Sequence, residues 1–139
     1  APSAPASSIP ESEKSERLYL AACLSAGAIG REHIDLLTDE ILSTPLMREL
    51  RDHLRENFEK PLAGAASLKP ELRDAVTEVA MLSERENASP KAIQLGFLQL
   101  EKAGLERALA GSAASDKARI ELKRQEVIKQ LGELTAEFA

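Results

Sequence analysis

Residues 116–138 read DKARIELKRQEVIKQLGELTAEF, a helical pattern that runs almost to the C-terminus. Its apolar side chains follow one another at spacings of seven, four, three and four residues, which places them on one narrow stripe of a helix. The stripe consists of Ile120, Val127, Leu131, Leu134 and Phe138. Charged and amide side chains cover most of the remaining surface, so this helix, about 34 Å long, can pack against a partner on one side only.

The preceding helix can supply that partner. Ser89 followed by Pro90 predicts its start, because serine is a favoured cap and proline suits the first helical position. The helical pattern continues to about Ala110 and is then interrupted by GSAAS, residues 111–115, which allows the two helices to turn back on each other. We therefore predict a C-terminal helical arm over residues 111–139 that packs against the preceding helix and projects from the rest of the chain.

A helix-favouring composition extends over most of the chain. Ala, Leu, Glu, Lys and Arg make up 79 of the 139 residues, whereas Val and Ile together number ten. Further helical patterns begin near Glu11, Arg31, Pro45 and Pro70. We predict an all-α fold in which a bundle of about five to six helices occupies residues 13–110 and precedes the arm. Residues 1–12 are predicted to be a flexible linker, because the first eight contain only Ala, Pro and Ser.

The bundle is expected to fold around apolar side chains that recur along the faces of its helices. Those predicted for the core are Leu18, Leu20, Leu24, Leu46, Leu50, Leu54, Phe58, Leu72, Val79, Phe97 and Leu100. Gly27 and Gly30 are predicted to end the first helix, since glycine commonly follows a helix terminus. This core is large enough for the bundle to fold without help from the arm.

Charge and titratable residues disfavour several classes of function. The net charge of −5 at pH 7 argues against direct nucleic-acid binding, which requires a basic surface. His33 and His53 lie in separate helical patterns, and Cys23 is the single cysteine of the sequence, so we predict no metal site, no cofactor and no disulfide. No carboxylate pair or glycine-rich loop indicates catalysis, and we predict that the fragment is not an enzyme. No apolar run approaches the roughly 20 residues that span a bilayer, and we expect a cytoplasmic protein.

Two pairs of basic residues stand near helix starts. Lys14 and Arg17 lie in the first helical pattern, and Lys69 and Arg73 lie at the start of the pattern that begins near Pro70. Such a pair is either ordinary solvated surface or a binding site for an acidic peptide, since Arg and Lys bind carboxylates through charge-assisted hydrogen bonds. Both interpretations stay open from these residues alone.

Three stretches of the chain resemble the C-terminal helicase-binding domain of bacterial DNA primase. The first is SERLYLAACL (residues 15–24), in which an Arg precedes a nearly continuous apolar run. The second is TPLMREL (residues 44–50), and the third runs from LEKAGLERAL through a polar break to QEVIKQLGEL (residues 100–134). The resemblance depends mainly on the order of the three stretches along the chain, because the sequences of single amphipathic helices are similar in many proteins. The chain departs from the family at Gly104 and at Gly111-Ser112, where strong helix formers are usual.

The resemblance implies that the terminal hairpin binds the hexameric replicative DNA helicase. Carried over by position, its contacts are Val127, Leu131, Leu134 and Phe138. It also implies that the bundle stimulates the helicase and holds the acidic C-terminal tail of single-stranded-DNA-binding protein. By position, the tail-binding residues are Lys14, Arg17, Lys69 and Arg73. The parent protein would be a primase, a DNA-directed RNA polymerase that makes primers at the replication fork, and this fragment would meet nucleic acid only through that parent or its complex.

Two alternatives stay open beside the primase domain. One is the N-terminal domain of a replicative helicase, which shares the fold of the primase family. The other is a self-associating helical scaffold whose terminal stripe pairs with the same stripe of a second copy. A monomer in light scattering would favour the adaptor, whereas a dimer held by the last helix would favour the scaffold.

Overall fold

The computed structural model describes the backbone of residues 9–138 and the side chains as far as Ala136. Over that range the chain is helical without any strand, which confirms the predicted all-α class. The helices are α1 (Glu11–Ser25), α2 (Ala28–Leu36), α3 (Pro45–Glu56), α4 (Pro70–Ser83), α5 (Pro90–Gly111) and α6 (Ala114–Phe138). A short 3-10 helix, Ala65–Ser67, lies between α3 and α4. Residues 1–8 of the predicted linker lie outside the described part, and α1 already includes the last two residues of that predicted segment.

Helix α1 lies at the centre of the bundle, because it packs against α2, α3, α4 and α5. Its inward face carries the buried side chains of Tyr19, Leu20 and Cys23. Tyr19 Oη donates a hydrogen bond of 3.0 Å to the carbonyl oxygen of Ile93 in α5. The prediction of Leu18 as a core residue is wrong: it is 51% exposed, because it lies on the outward face of α1. The other predicted core residues are buried or pack against the buried cluster.

Two glycines determine how α1 and α2 meet. Gly27, between the two helices, has a φ of +68°, which favours glycine because a side chain is strained there. Gly30 was predicted to help end the first helix, but it lies within α2, where the two helices approach closely. A Cβ atom added at Gly30 would lie 1.8 Å from the carbonyl oxygen of Cys23. The prediction for Gly30 is therefore wrong, since this residue allows a close backbone contact and does not end a helix.

The segment between α2 and α3, residues 37–44, is fixed by polar side chains from the neighbouring helices. The buried carboxylate of Glu16 in α1 accepts hydrogen bonds from the backbone N and the Oγ of Ser43, at 3.0 and 3.1 Å. Burial raises the pKa of Glu16, and the hydrogen bonds from Ser43 offset part of that rise. In α3, Arg51 Nη1 donates to the carbonyl oxygen of Leu37 at 2.9 Å. Both ends of the segment are therefore anchored to the bundle.

Helices α5 and α6 form an antiparallel hairpin that turns at residues 112–113. Helix α5 also packs against α1 and α2, whereas α6 packs against α5 and against no other helix of the described chain. The predicted C-terminal arm is therefore peripheral, and it runs back along α5 at the edge of the bundle. Helix α6 begins at Ala114, two residues before the start of the predicted helical stretch.

Gly104 marks the place where α5 passes the α2–α3 segment. The residue is buried, and an added Cβ atom would lie 2.9 Å from the carbonyl oxygen of Glu40. Almost one turn further along α5, Arg107 Nη2 donates to the carbonyl oxygen of Ile41 at 2.9 Å. Glycine at position 104 thus has a local reason: a side chain there would separate α5 from this segment.

Candidate protein-interaction surface

The apolar stripe of α6 faces α5. Val127 and Leu134 are buried, with 3% and 8% of each residue exposed, and Ile120 and Leu131 are half-buried. The side chain of Phe138, the last predicted helicase contact, lies outside the described residues. Buried side chains are not available to a second protein while α6 stays docked. Val127 and Leu134 therefore hold the hairpin together, and the open surface of α6 is formed by other residues.

Ion pairs beside the stripe fix the position of α6 on α5. Arg124 of α6 contacts the Glu106 carboxylate of α5 at 3.1 Å, and Lys102 contacts the same carboxylate at 3.0 Å. The hydrogen bonds from Lys102 and Arg124 hold the pKa of Glu106 below its ordinary value. Arg124 also pairs with Glu121 one turn earlier, at 3.0 Å. This network is partly exposed, so it sets the register of the two helices more than it stabilises them.

Leu122 is the most exposed apolar feature of the hairpin. It is 74% exposed, more than any other large apolar side chain in the described part of the chain. It lies five residues before Val127, so the two side chains are separated by about 140° around the helix axis. Leu122 was not singled out from the sequence, and the available signal was a leucine placed off the stripe in an otherwise charged helix.

Arg17 is enclosed by acidic side chains of the same chain. Its guanidinium contacts the carboxylate of Glu78 in α4 at 2.6 Å and that of Glu13 at 3.4 Å. Only 11% of the Arg17 side chain is exposed, and its Nε is buried without a hydrogen-bond partner. Glu78 is 45% exposed. Arg17 already binds carboxylates, and the outer one, from Glu78, is accessible to a competing ligand.

The other predicted tail-binding residues are distributed over different neighbours. Lys69 pairs with Glu49 of α3 at 2.6 Å, and Lys14 makes an exposed pair with Glu11 at 3.8 Å. Arg73 is exposed and forms no ion pair within the described residues. Arg73 lies five residues before Glu78, the partner of Arg17 on α4. The two positions are therefore about 140° apart around that helix. The structure therefore places Lys14 and Arg17 on the same helix, but it does not bring all four basic residues to one face.

Cys23, His33 and His53 carry the thiol and imidazole groups that can act as nucleophiles or metal ligands. Cys23 is buried, and this burial raises the pKa of its thiol to about 12, which keeps it protonated at neutral pH. His33 Nδ1 lies 2.8 Å from the carbonyl oxygen of Ile29, and His53 Nε2 lies 2.7 Å from that of Pro61. Over residues 9–138, no group of three or more His, Cys, Asp or Glu side chains is arranged to hold a metal ion.

Comparisons with known protein families, with curated proteins and with solved structures give no match to this chain. Within the described residues, no helix combines the length and the apolar character needed to cross a membrane.

Proposed function

We propose that this chain is the helicase-binding domain of a bacterial DNA primase, which recruits the primase to the hexameric replicative helicase in the cytoplasm and modulates helicase activity. The observation that carries the proposal is the antiparallel α5–α6 hairpin at the edge of an all-helical bundle. The stretches that resemble the family occur in the expected order, on α1, on α3 and on this hairpin. A helix packed on one side only leaves most of its surface for a partner.

The hairpin binds the helicase as a preformed unit in this proposal. Its contact face is the exposed side of α6, with Leu122 at its centre. Half-buried Leu131 lies about 180° from Leu122 around the helix, in the stripe that faces α5. Val127 and Leu134 contribute indirectly, because they hold α6 on α5, and Phe138 stays a predicted direct contact. Apolar side chains near the centre of an interface commonly supply much of its binding free energy.

Substitution of Leu122 by glutamate should weaken binding to a purified bacterial replicative helicase by about tenfold or more. The reason is that a carboxylate would be desolvated in the contact face, whereas in the free chain it would remain solvated. Binding is measured by titrating the helicase ring into fluorescently labelled chain and following anisotropy. Met81→Glu is the matched control, since Met81 is 59% exposed on α4, outside the hairpin, and it should bind as the unmodified chain does.

Three results would contradict the proposal. The first is an unmodified chain that shows no saturable binding to the helicase. The second is an equal loss of affinity in the Leu122 and Met81 variants, which would remove the hairpin as the site. The third is a dimer in light scattering that Leu122→Glu converts to a monomer, which would favour the self-associating scaffold. If this chain were instead the N-terminal domain of a replicative helicase, it should bind an isolated primase fragment. Titrating that fragment into the labelled chain tests this alternative.

We also propose an acidic C-terminal peptide, such as the tail of single-stranded-DNA-binding protein, as a second ligand of the bundle. The supporting observation is the pairing of Arg17 with Glu78, whose carboxylate is 45% exposed. A tail carboxylate would replace that of Glu78, and Lys14 on the same helix would add a second positive charge. Lys69 and Arg73 would contact a tail long enough to continue across α4.

Removing the internal competitor should increase the affinity for such a tail. We expect Glu78→Gln to bind a synthetic Asp-rich peptide with a free C-terminal carboxylate about threefold more tightly, and Arg17→Glu to bind it about tenfold more weakly. Calorimetric titration at two salt concentrations measures both effects, and higher salt should weaken binding because exposed charges are screened. Lys60→Glu, in the exposed loop after α3, is the control for reversing a positive charge, and it should bind the peptide as the unmodified chain does. This second role would be overturned if the peptide affinity did not change with salt concentration, or if it were lower in Glu78→Gln than in the unmodified chain.

A further inference from the structure

A channel runs between α2 and α6, with α5 as its floor. Helices α2 and α6 both pack against α5 but not against each other. The part of the channel near the α5–α6 turn has a volume of 490 Å³, and the part near the start of α5 has a volume of 320 Å³. Phe97 lines both parts, so the two parts adjoin each other along α5.

The length of the channel corresponds to that of a short helix. Its floor extends along α5 from Gln94 to Ala108, a distance of about 21 Å in a helix. The wall on one side is α6, and the wall on the other side is formed by α2 together with the anchored segment 37–44. A helix of about 14 residues would lie along α5 and contact both walls.

Apolar side chains line the channel. Leu36 at the end of α2 is 55% exposed, although it lies beside a buried cluster, and Phe97 and Ile120 are half-buried in the floor and in the α6 wall. The ring of Phe97 meets the ring of His33 edge to face at 5.7 Å between centroids, which holds it in the floor. These side chains would become buried if an apolar stripe of another helix covered them.

Charges of opposite sign face each other across the channel. In the part near the α5–α6 turn, Lys123 and Arg119 lie on the α6 wall, Glu40 lies on the opposite wall, and Glu101 lies in the floor. In the other part the α6 wall carries Glu133. Lys123, Glu40 and Glu101 form no ion pair within the described residues, and Arg119 makes an exposed pair with Asp116 at 3.5 Å. An occupant with acidic groups towards Lys123 and Arg119 and basic groups towards Glu40 would satisfy the charges near the turn, whereas an occupant of one sign would be repelled by one wall there.

We propose that this channel binds one amphipathic helix of a partner protein, about 14 residues long, with an apolar stripe flanked by acidic residues on one side and by basic residues on the other. This is a second docking site, distinct from the outer face of α6, and it does not depend on the helicase assignment. The mode is that of a helix in a groove, in which the apolar stripe provides affinity and the flanking charges provide orientation and selectivity.

The test uses three labelled synthetic helices of about 14 residues that share one leucine stripe and differ only in its flanks. In the mixed peptide one flank is Glu and the other is Lys, and in the other two peptides both flanks are Glu or both are Lys. We expect the intact chain to bind the mixed peptide about fivefold more tightly than either of the others in fluorescence anisotropy, since each exposed charge pair contributes little by itself. Equal binding of the three peptides, or no saturable binding, would overturn the proposal.

Two variants locate the binding in the channel. Leu36→Asp should weaken binding of the mixed peptide about tenfold, whereas Met81→Asp, an equally exposed apolar position on α4, should leave it unchanged. Glu40→Lys makes both walls basic and should transfer the preference to the peptide with two acidic flanks. Its control is Glu71→Lys, an exposed acidic position on α4. An unchanged preference in Glu40→Lys, or a dimer in sedimentation that Leu36→Asp dissociates, would show that no partner helix of this chemistry occupies the channel.

Discussion

Gly30→Ala is expected to lower the free energy of unfolding by about 3 kcal/mol. The alanine Cβ would lie 1.8 Å from the carbonyl oxygen of Cys23, and that contact is between two backbones, so no flexible side chain can move aside. Relief requires α2 to shift away from α1, which would open the buried packing around Ile34 and Leu20. Urea unfolding followed by circular dichroism at 222 nm measures the change in midpoint at constant slope.

The matched control for this substitution is Gly132→Ala in α6. Gly132 is exposed, and an added Cβ atom there meets no atom within 4 Å. Alanine favours a helix over glycine by roughly 0.5–1 kcal/mol, so this variant should be unchanged or slightly more stable. If Gly30→Ala unfolded at the same urea concentration as the unmodified chain, the close contact between α1 and α2 would be contradicted.

The second large effect is expected in the hairpin, where Val127→Ala combined with Leu134→Ala should cost about 3 to 5 kcal/mol of docking free energy. Both side chains are buried against α5, and α6 contacts no other helix of the described chain, so little else holds it. We expect amide exchange of α6 to accelerate strongly while exchange in α1 and α3 stays slow. In the unmodified chain, amide exchange should already be faster in α6 than in α1 and α3.

Leu122→Ala is the control within the same helix, because it removes a side chain that is 74% exposed and should leave exchange of α6 unchanged. The double variant should also bind the helicase weakly, through loss of the hairpin's shape, whereas Leu122→Glu should lose binding with α6 still docked. Unaltered exchange of α6 in the double variant would contradict the role of the stripe. Simultaneous fast exchange in α1 and α6 would show that the hairpin and the bundle unfold as one unit.

Helix starts are the best example of what could be predicted from local sequence. The helix predicted to begin near Pro45 does begin there, and Thr44 caps it, with its Oγ1 accepting a hydrogen bond of 3.3 Å from the backbone N of Met47. Ser89 likewise caps α5, with its Oγ accepting from Ala92 N at 3.1 Å. A cap involves residues only three positions apart, so its chemistry is complete within a short stretch of chain.

The environment of the basic residues could not be predicted from the sequence in the same way, because it depends on ion-pair partners that are distant in sequence. Arg17 could be identified as a basic residue near a helix start, but its pairing with Glu78 joins positions 61 residues apart. Lys69 could be identified in the same way, but its partner Glu49 lies on another helix. Sequence reveals a charge, whereas its availability to a ligand depends on which opposite charge the fold places beside it.

The sequence by itself determined the all-α class, the main helix starts and the narrow stripe of the last helix, since periodicity and capping are local properties of the chain. Only the tertiary structure decided that Gly30 is a contact between helices, that Leu18 faces outward, and that α2 and α6 leave a channel over α5. The physical reason is that each of these features depends on the distance between elements far apart in sequence. Periodicity specifies which residues share a face of a helix, but packing of all the helices together specifies what that face meets.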